Sequence, residues 1–137
     1  MKKSVIVSCA AALLISTAAL AAGNAQLMST VPASSLTVAD WYKQDVYNPS
    51  NTKIGEVMDV LVGPNGQVST VIVGVGGFLN VDQKDVAVNF NSIQKTMKDN
   101  KVYLTMDTTK DALKNAPGFK YDSDKTTWVP DTSNTKS

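Results

Sequence analysis

The side chains that could do chemistry in this chain are carboxylates, lysines, hydroxyls and tyrosines, because the 137 residues contain no histidine and one cysteine, Cys9. The usual general base and the usual transition-metal ligands are therefore missing. Glu56 and Asp59 are one candidate pair, since two convergent carboxylates could support hydrolysis. Residues three apart on a regular strand point to opposite faces, so only a β-bulge could reunite them. We expect Asp59 to cap such a bulge and Glu56 to be solvated, without catalysis.

A second acidic group surrounds Lys84, where Asp82 and Asp85 could hold a hard cation such as Ca²⁺ through carboxylate oxygens. Their spacing lacks the dense alternation of carboxylates that marks a dedicated calcium loop, and the Lys84 ammonium opposes a cation. We therefore expect an ion pair that stabilises the turn, and no metal site.

Three glycines precede this acidic group, Gly74, Gly76 and Gly77, and glycine-rich loops can cradle a phosphate. No predicted helix follows them to supply N–H groups and a helix dipole, as a phosphate loop requires. Close approach of two strands and a sharp turn explain these glycines better. We expect no cofactor in this chain.

Several aromatic residues could stack on a sugar or a base, namely Trp41, Tyr42, Tyr47 and Trp128. In a domain this small, aromatic side chains usually close the core. The charge pattern argues against nucleic acid as a partner, because the chain has no arginine and no basic stripe.

The N-terminal residues have the pattern of a secretory signal peptide. Lys2 and Lys3 precede an apolar stretch over residues 5–20, and Ala19-Leu20-Ala21 is a cleavage signal. An uncleaved anchor is the alternative, because the stretch approaches the length of a membrane span. Its weakly apolar Ala, Ser and Thr residues favour cleavage. We expect a periplasmic or secreted product without stable membrane insertion.

Cleavage after Ala21 removes Cys9 and two lysines, so the mature chain has no disulfide. It keeps eleven lysines against twelve acidic residues, a net charge of about −1. Packing alone must therefore hold a single, modest core.

The clearest structural signal covers residues 54–77, where two β-branched runs flank Gly63-Pro64-Asn65-Gly66. This pattern predicts a β-hairpin whose type I turn continues into a G1 bulge, with Gly66 in the left-handed conformation. The second run, residues 68–75, is apolar on both pleat faces, which is typical of a strand covered on both sides. Because Val57 and Val60 are three apart, we expect a β-bulge near Met58-Asp59.

The remaining pattern predicts further short strands and little helix. Strands are expected over residues 43–47, 86–90, 93–97 and 102–106. Capping-box patterns predict one helical turn at Thr37-Val38-Ala39-Asp40, carrying Trp41 and Tyr42 toward the core, and a short helix opened by Thr108-Thr109-Lys110-Asp111. The predicted organisation is a signal peptide (1–21), a flexible lead-in (22–36), a domain with a trailing helix (37–121) and a polar tail (122–137), in which Trp128 could dock or remain free.

Four stretches form a recognisable pattern: Lys53-Ile54-Gly55-Glu56-Val57-x-Asp59-Val60-Leu61-Val62, Asn65-Gly66, Val71-Ile72-Val73-Gly74-Val75-Gly76-Gly77-Phe78-Leu79 and Lys84-Asp85-Val86-Ala87-Val88. This pattern resembles the PRC-barrel family, named for the photosynthetic reaction centre H subunit. The resemblance covers roughly residues 41–106. It implies a mainly β fold, a small PRC-type β-barrel with a short C-terminal helix. It also implies structural roles for Gly55, Asp59, Gly66, Gly74, Gly76 and Gly77.

The resemblance implies a packing and docking module without a shared active site. We therefore expect a non-catalytic binding or adaptor module of the bacterial cell envelope, contacting protein partners or itself. Its predicted surfaces are the barrel edges and the loop after Gly77, with Phe78, Leu79, Val81, Asp82, Lys84 and Asp85 as binding residues. The three apolar loop residues could instead plug the barrel end.

Two other function classes remain open at this point. A carrier of a small apolar ligand, held between barrel and helix, would need a closed pocket of roughly several hundred Å³. A carboxylate-based hydrolase would need two convergent acidic side chains. An adaptor would instead expose an apolar patch.

The signal peptide can be tested directly. Mass spectrometry of the protein from a periplasmic extract should give a chain that starts at Ala22 or within a few residues of it. Recovery of the full-length chain in the membrane fraction would support the uncleaved anchor instead.

Overall fold

The computed structural model describes residues 25–77 and 82–134. The chain divides into two units, Met1–Ala33 and Ser34–Ser137. In the first unit, residues 25–33 contain no helix or strand and expose Leu27, Met28 and Val31. The predicted signal peptide lies outside the described residues, as do Phe78, Leu79 and Val81. No helix within the described ranges is both long and apolar enough to span a membrane.

The second unit is mainly β, as the sequence predicts, with one short α-helix in its described part. Its strands are β1 (Asp45–Tyr47), β2 (Lys53–Val62), β3 (Val68–Val75), β4 (Lys84–Asn89), β5 (Ile93–Lys98), β6 (Lys101–Met106), β7 (Gly118–Asp122) and β8 (Thr127–Pro130). The helix α1 (Lys110–Asn115) joins β6 to β7. Three 3₁₀ helices cover Val38–Asp40, Phe90–Ser92 and Thr132–Asn134.

The strands form one sheet in the order β5-β6-β1-β2-β3-β4-β7-β8. Neighbouring strands are antiparallel except β1 and β6, which run parallel with Val46 opposite Leu104. Because the order begins at β5 and ends at β8, each of these strands has one neighbour among the described residues.

The hairpin between β2 and β3 has the predicted turn. The Gly66 N–H donates to the Gly63 carbonyl at 2.9 Å, and the Gly63 N–H donates to the Gln67 carbonyl at 2.7 Å. Gly66 has φ +77°, a conformation that a side chain would strain. The predicted type I turn with a left-handed glycine is confirmed.

The predicted bulge in β2 is also present. Val57 pairs with Val73 and Asp59 pairs with Ile72, so Met58 is the additional residue. The bulge changes the phase of the strand, and both Val57 and Val60 consequently enter the core.

The core is built mainly from β-branched side chains on one face of the sheet. It contains Trp41, Val46, Ile54, Val57, Val60, Val71, Val73, Val75, Val86, Ile93, Leu104, Met106 and Leu113. On the opposite face of β3, Ile72 is also fully buried. This confirms that β3 is covered on both sides.

The 3₁₀ helix Val38–Asp40 carries Trp41 into the core, where its ring stacks on Phe90 with centroids 4.6 Å apart. Tyr42, predicted to approach the core as well, remains 54% exposed. The single helical turn cannot direct two consecutive side chains inward. The Thr37 side chain makes no capping hydrogen bond, so the predicted capping box is wrong at this position.

The predicted short helix α1 is present, but Thr109 caps it and not Thr108, the first residue of the predicted capping box. The Thr109 hydroxyl accepts a hydrogen bond from the Ala112 N–H at 3.1 Å, which satisfies one free donor of the first turn. Leu113 is buried and Ala116 packs against the core, whereas Ala112 is exposed. The helix ends at Asn115, two residues before Pro117.

Part of the predicted polar tail belongs to the sheet. Residues 127–130 form β8, which pairs with β7 so that Trp128 lies opposite Tyr121. The Asp122 carboxylate closes the intervening turn by accepting N–H bonds from Asp124 and Lys125. The Lys125 side chain and these bonds lower the pKa of Asp122.

Val73 provides a test of the core. Its side chain is fully buried in the middle of β3, so Val73→Asp should place an unpaired charge in the core and unfold the domain. Thermal melting followed by circular dichroism measures the effect. The control is Ser69→Asp, at an exposed position of the same strand, which should melt like the wild type. Equal melting of both variants would contradict the assigned register.

Candidate functional site

The predicted binding loop is described only where it enters β4. Asp82 is exposed with φ +58°. Lys84 donates from Nζ to the Lys114 carbonyl at 2.7 Å, at the end of α1. Asp85 accepts a hydrogen bond from the Gln83 side chain at 2.8 Å. Lys84 therefore joins the start of β4 to the end of α1, whereas the Asp85 bond is local.

The ion pair predicted around Lys84 is wrong within the described residues, which include no salt bridge from Lys84 to Asp82 or Asp85. Lys84 and Asp85 are consecutive in β4, so their side chains leave opposite faces of the strand. The Lys84 ammonium binds the carbonyl end of α1, where a positive charge is favourable.

The glycines near the loop have the structural roles that the sequence predicts. At Gly74, a Cβ atom would lie 2.6 Å from Cδ of Gln83 and 3.0 Å from Cγ of Met58. Gly76 and Gly77 have φ +73° and +75°, which produce the turn after β3. At Gly55, a Cβ atom would lie 2.6 Å from Cγ1 of Val73.

The bulge brings Glu56 and Asp59 to one face of β2, because they pair with Gly74 and Ile72 on β3. Each carboxylate has separate partners. Glu56 lies 3.5 Å from Nζ of Lys43. Asp59 accepts the Val60 N–H with one oxygen and the indole N–H of Trp128 with the other, both at 2.8 Å. Asp59 therefore caps the bulge, as predicted, and also binds β8.

The described residues contain no group of three acidic, histidine or cysteine side chains that could hold a metal ion. The best-defined clefts of the described surface are open to solvent and lined by both polar and apolar side chains. None of these clefts has the closed form that a carrier of an apolar ligand needs.

One apolar surface lies where the 3₁₀ helix Val38–Asp40 meets the β5–β6 hairpin. We call it the edge patch and define it as Val38, Ala39, Met97 and Val102. Met97 is 63% exposed and Val38 is 49% exposed. The members of the patch other than Val38 line an open cleft of about 350 Å³, together with Asp40 and Lys101.

The second surface is a pair of stacked tyrosines, which we call the tyrosine ledge. The rings of Tyr47 on β1 and Tyr103 on β6 have centroids 4.8 Å apart and an interplanar angle of 17°. Both residues are half-buried. The sequence analysis named Tyr47 as a possible stacking residue but not Tyr103. The alternation in β6, which directs Leu104 inward and Tyr103 outward, could have indicated that Tyr103 is available on the outer face.

Charge around the ledge is largely balanced. Nζ of Lys53 lies 2.6 Å from the Asp45 carboxylate, and this contact raises the pKa of Lys53 although partial burial opposes it. Nζ of Lys98 lies 5.3 Å from the centroid of the Tyr103 ring. This is a cation–π contact, which is weak at an exposed position.

These elements match a known family. A family model described as the PRC-barrel domain matches residues 35–113. The chain belongs to the PRC-barrel family. The match extends beyond residues 41–106, which carry the resemblance in the sequence. It also includes the 3₁₀ helix Val38–Asp40 and the first part of α1. In this PRC-barrel protein, β7 and β8 follow the matched region. A search of curated proteins found no match to the chain.

The bond between Asp59 and Trp128 can be measured by a double-mutant cycle. Asp59→Ala and Trp128→Phe should each lower the free energy of unfolding, and their coupling should be about 1 kcal/mol, as for a partly exposed hydrogen bond to a charged group. Chemical denaturation gives the four values. In a control cycle, the effects of Asp59→Ala and Tyr103→Phe on the free energy of unfolding should be additive. A coupling near zero for the first pair would contradict the bond.

Proposed function

We propose that this PRC-barrel protein is a non-catalytic binding or adaptor module of the bacterial cell envelope, and that it recognises a protein partner through β5 and the edge patch. The observation that carries the proposal is the position of Met97. It is a large apolar side chain, 63% exposed, on a strand that begins the sheet order and has one neighbouring strand among the described residues.

One side of β5 has no strand beside it among the described residues, and this supports a partner in extended conformation. An edge strand offers backbone N–H and C=O groups to an added strand, and adjacent side-chain pockets give specificity. The other end of the sheet is less suited to this role. Strand β8 has four residues and includes Pro130, which lacks an N–H group. The six-residue β5 contains no proline.

The composition of the edge patch fits a protein contact, because an apolar centre is surrounded by charges. Nζ of Lys95 on β5 lies 3.9 Å from Oδ2 of Asp40, and Lys101 lines the same cleft as Met97. We propose that the partner supplies an extended segment with an apolar side chain for Met97 and an acidic residue near Lys101. Complementary charge of this kind sets register and association rate more than affinity.

The loop after Gly77 is a second predicted contact. Lys84 and Asp85 make hydrogen bonds at the start of β4, while Asp82 is exposed. The contribution of Phe78, Leu79 and Val81 stays a prediction, since these residues lie outside the described ranges.

Two features support a binding role over the alternatives. The chain has no histidine, and Glu56 and Asp59 each bind a separate partner, which does not favour hydrolysis. The open form of the described clefts does not favour an apolar carrier. Export to the envelope rests on the signal pattern in residues 1–21.

The test compares two exposed apolar positions. Met97→Asp and Val62→Asp change residues that are 63% and 61% exposed, so both variants should keep the wild-type melting temperature. Captured on beads and mixed with envelope extract, Met97→Asp should retain about tenfold less partner than the wild type, because the charge occupies the apolar centre. Val62→Asp should capture as much as the wild type.

Photo-crosslinking identifies the contact directly. A photoreactive residue at position 97 should join the protein to a partner peptide that contains acidic residues, and the same residue at position 62 should not. Equal capture by the Met97 and Val62 variants, or crosslinks from position 62 alone, would contradict the proposal. Analytical ultracentrifugation of the purified protein gives its oligomeric state and so shows whether the partner is a second copy of this chain.

A further inference from the structure

The tyrosine ledge lies on the face of the sheet opposite the core. Val46 and Leu104, the neighbours of Tyr47 and Tyr103 along their strands, are fully buried, so strand alternation directs the tyrosines outward. The two rings stack in parallel on a surface whose core side is already filled. Their role in closing the core is therefore minor, and they are available for recognition.

A cleft of about 600 Å³ lies on one side of Tyr103. Most of its polar side chains are uncharged amides and hydroxyls: Asn48, Asn51, Ser92, Gln94 and Thr105. Each of these groups can both donate and accept hydrogen bonds. Sugar hydroxyls have the same double capacity, whereas a carboxylate or phosphate ligand needs donors only.

Two of the amides are held in place by bonds that use only their oxygens. Asn51 accepts from the Tyr103 hydroxyl, and Asn48 accepts from the Thr52 N–H at 2.9 Å. Within the part of the chain that the structure describes, both NH₂ groups have no protein acceptor. They are therefore positioned donors at the wall of the cleft.

The charges of the cleft compensate each other, because Lys98 and Asp107 are its two ionic lining residues. Nζ of Lys98 lies over the Tyr103 ring, while Tyr47 stacks on this ring as well. Lys98 is an exposed, flexible side chain, and its cation–π contact is weak enough for a ligand to displace.

We propose that this cleft binds an uncharged oligosaccharide that contains N-acetylated hexosamine. The sugar ring would pack against Tyr103 after displacing Lys98, and the acetamido carbonyl would accept from the NH₂ groups of Asn48 and Asn51. Nucleic acid is a poorer fit, because the face has no arginine and its charges are balanced. This cleft shares no residue with the edge patch, although its residues Gln94 and Lys98 belong to β5, and the proposal does not depend on a protein bound at the edge patch.

Chemical-shift mapping of the mature wild-type protein tests the site without a variant. Titration with the β-1,4-linked tetramer of N-acetylglucosamine should give saturable shifts at Asn48, Asn51, Gln94 and Tyr103. The glucose tetramer with the same linkage should bind about tenfold more weakly, since it lacks the acetamido acceptor. Absence of saturable shifts, shifts confined to another surface, or equal affinity for both tetramers would overturn the proposal.

Variants then assign the contribution of the ring. Tyr103→Ala should weaken binding of the N-acetylglucosamine tetramer about tenfold, whereas the control Tyr121→Ala, at an exposed tyrosine of β7, should leave the affinity unchanged. Lys98→Ala should bind at least as tightly as the wild type. Gln94→Ala, at an exposed position of the cleft, should weaken binding of the N-acetylglucosamine tetramer about threefold. If Tyr103→Ala does not fold, Gln94→Ala takes its place as the test. Unchanged affinity in folded Tyr103→Ala, or in Gln94→Ala where it is the replacement, would overturn the proposal.

Discussion

The carboxylate of Asp59 connects the centre of the sheet with its end. One oxygen accepts the Val60 N–H beside the bulge, and the other accepts the Trp128 indole N–H. The bulge allows both Val57 and Val60 to face the core, so the continuity of the core depends on this local irregularity. Because Trp128 belongs to β8, the same side chain also ties the last strand of the sheet back to β2.

The local features of this fold were predictable because they depend on short stretches of sequence. The turn at Gly66 requires a left-handed residue, the bulge follows from the spacing of Val57 and Val60, and a capping-box pattern at residues 108–111 marks the start of α1. Each of these features involves residues within a few positions of one another. Hydrophobic spacing and turn chemistry are sufficient to identify them.

The features that were not predicted join distant parts of the chain. The pairing of β8 is supported by a bond from Trp128 to Asp59, and Lys84 binds the carbonyl end of a helix that begins after β6. Tyr103 meets Tyr47 only because β6 pairs with β1. Strand alternation in the sequence indicates which face a side chain occupies, but it does not indicate which strand becomes the neighbour. The candidate surfaces were therefore less predictable than the fold.

The parallel pairing of β1 with β6 has a consequence for the order of folding. The strands between them in sequence, β2 to β5, form antiparallel hairpins or pair with near neighbours, whereas β1 and β6 must close a long segment of chain before they meet. Loop-closure entropy makes such a contact late and its formation slow. Until it forms, Val46 has a neighbour only on β2 and Leu104 only on β5, and the core remains open between these two side chains.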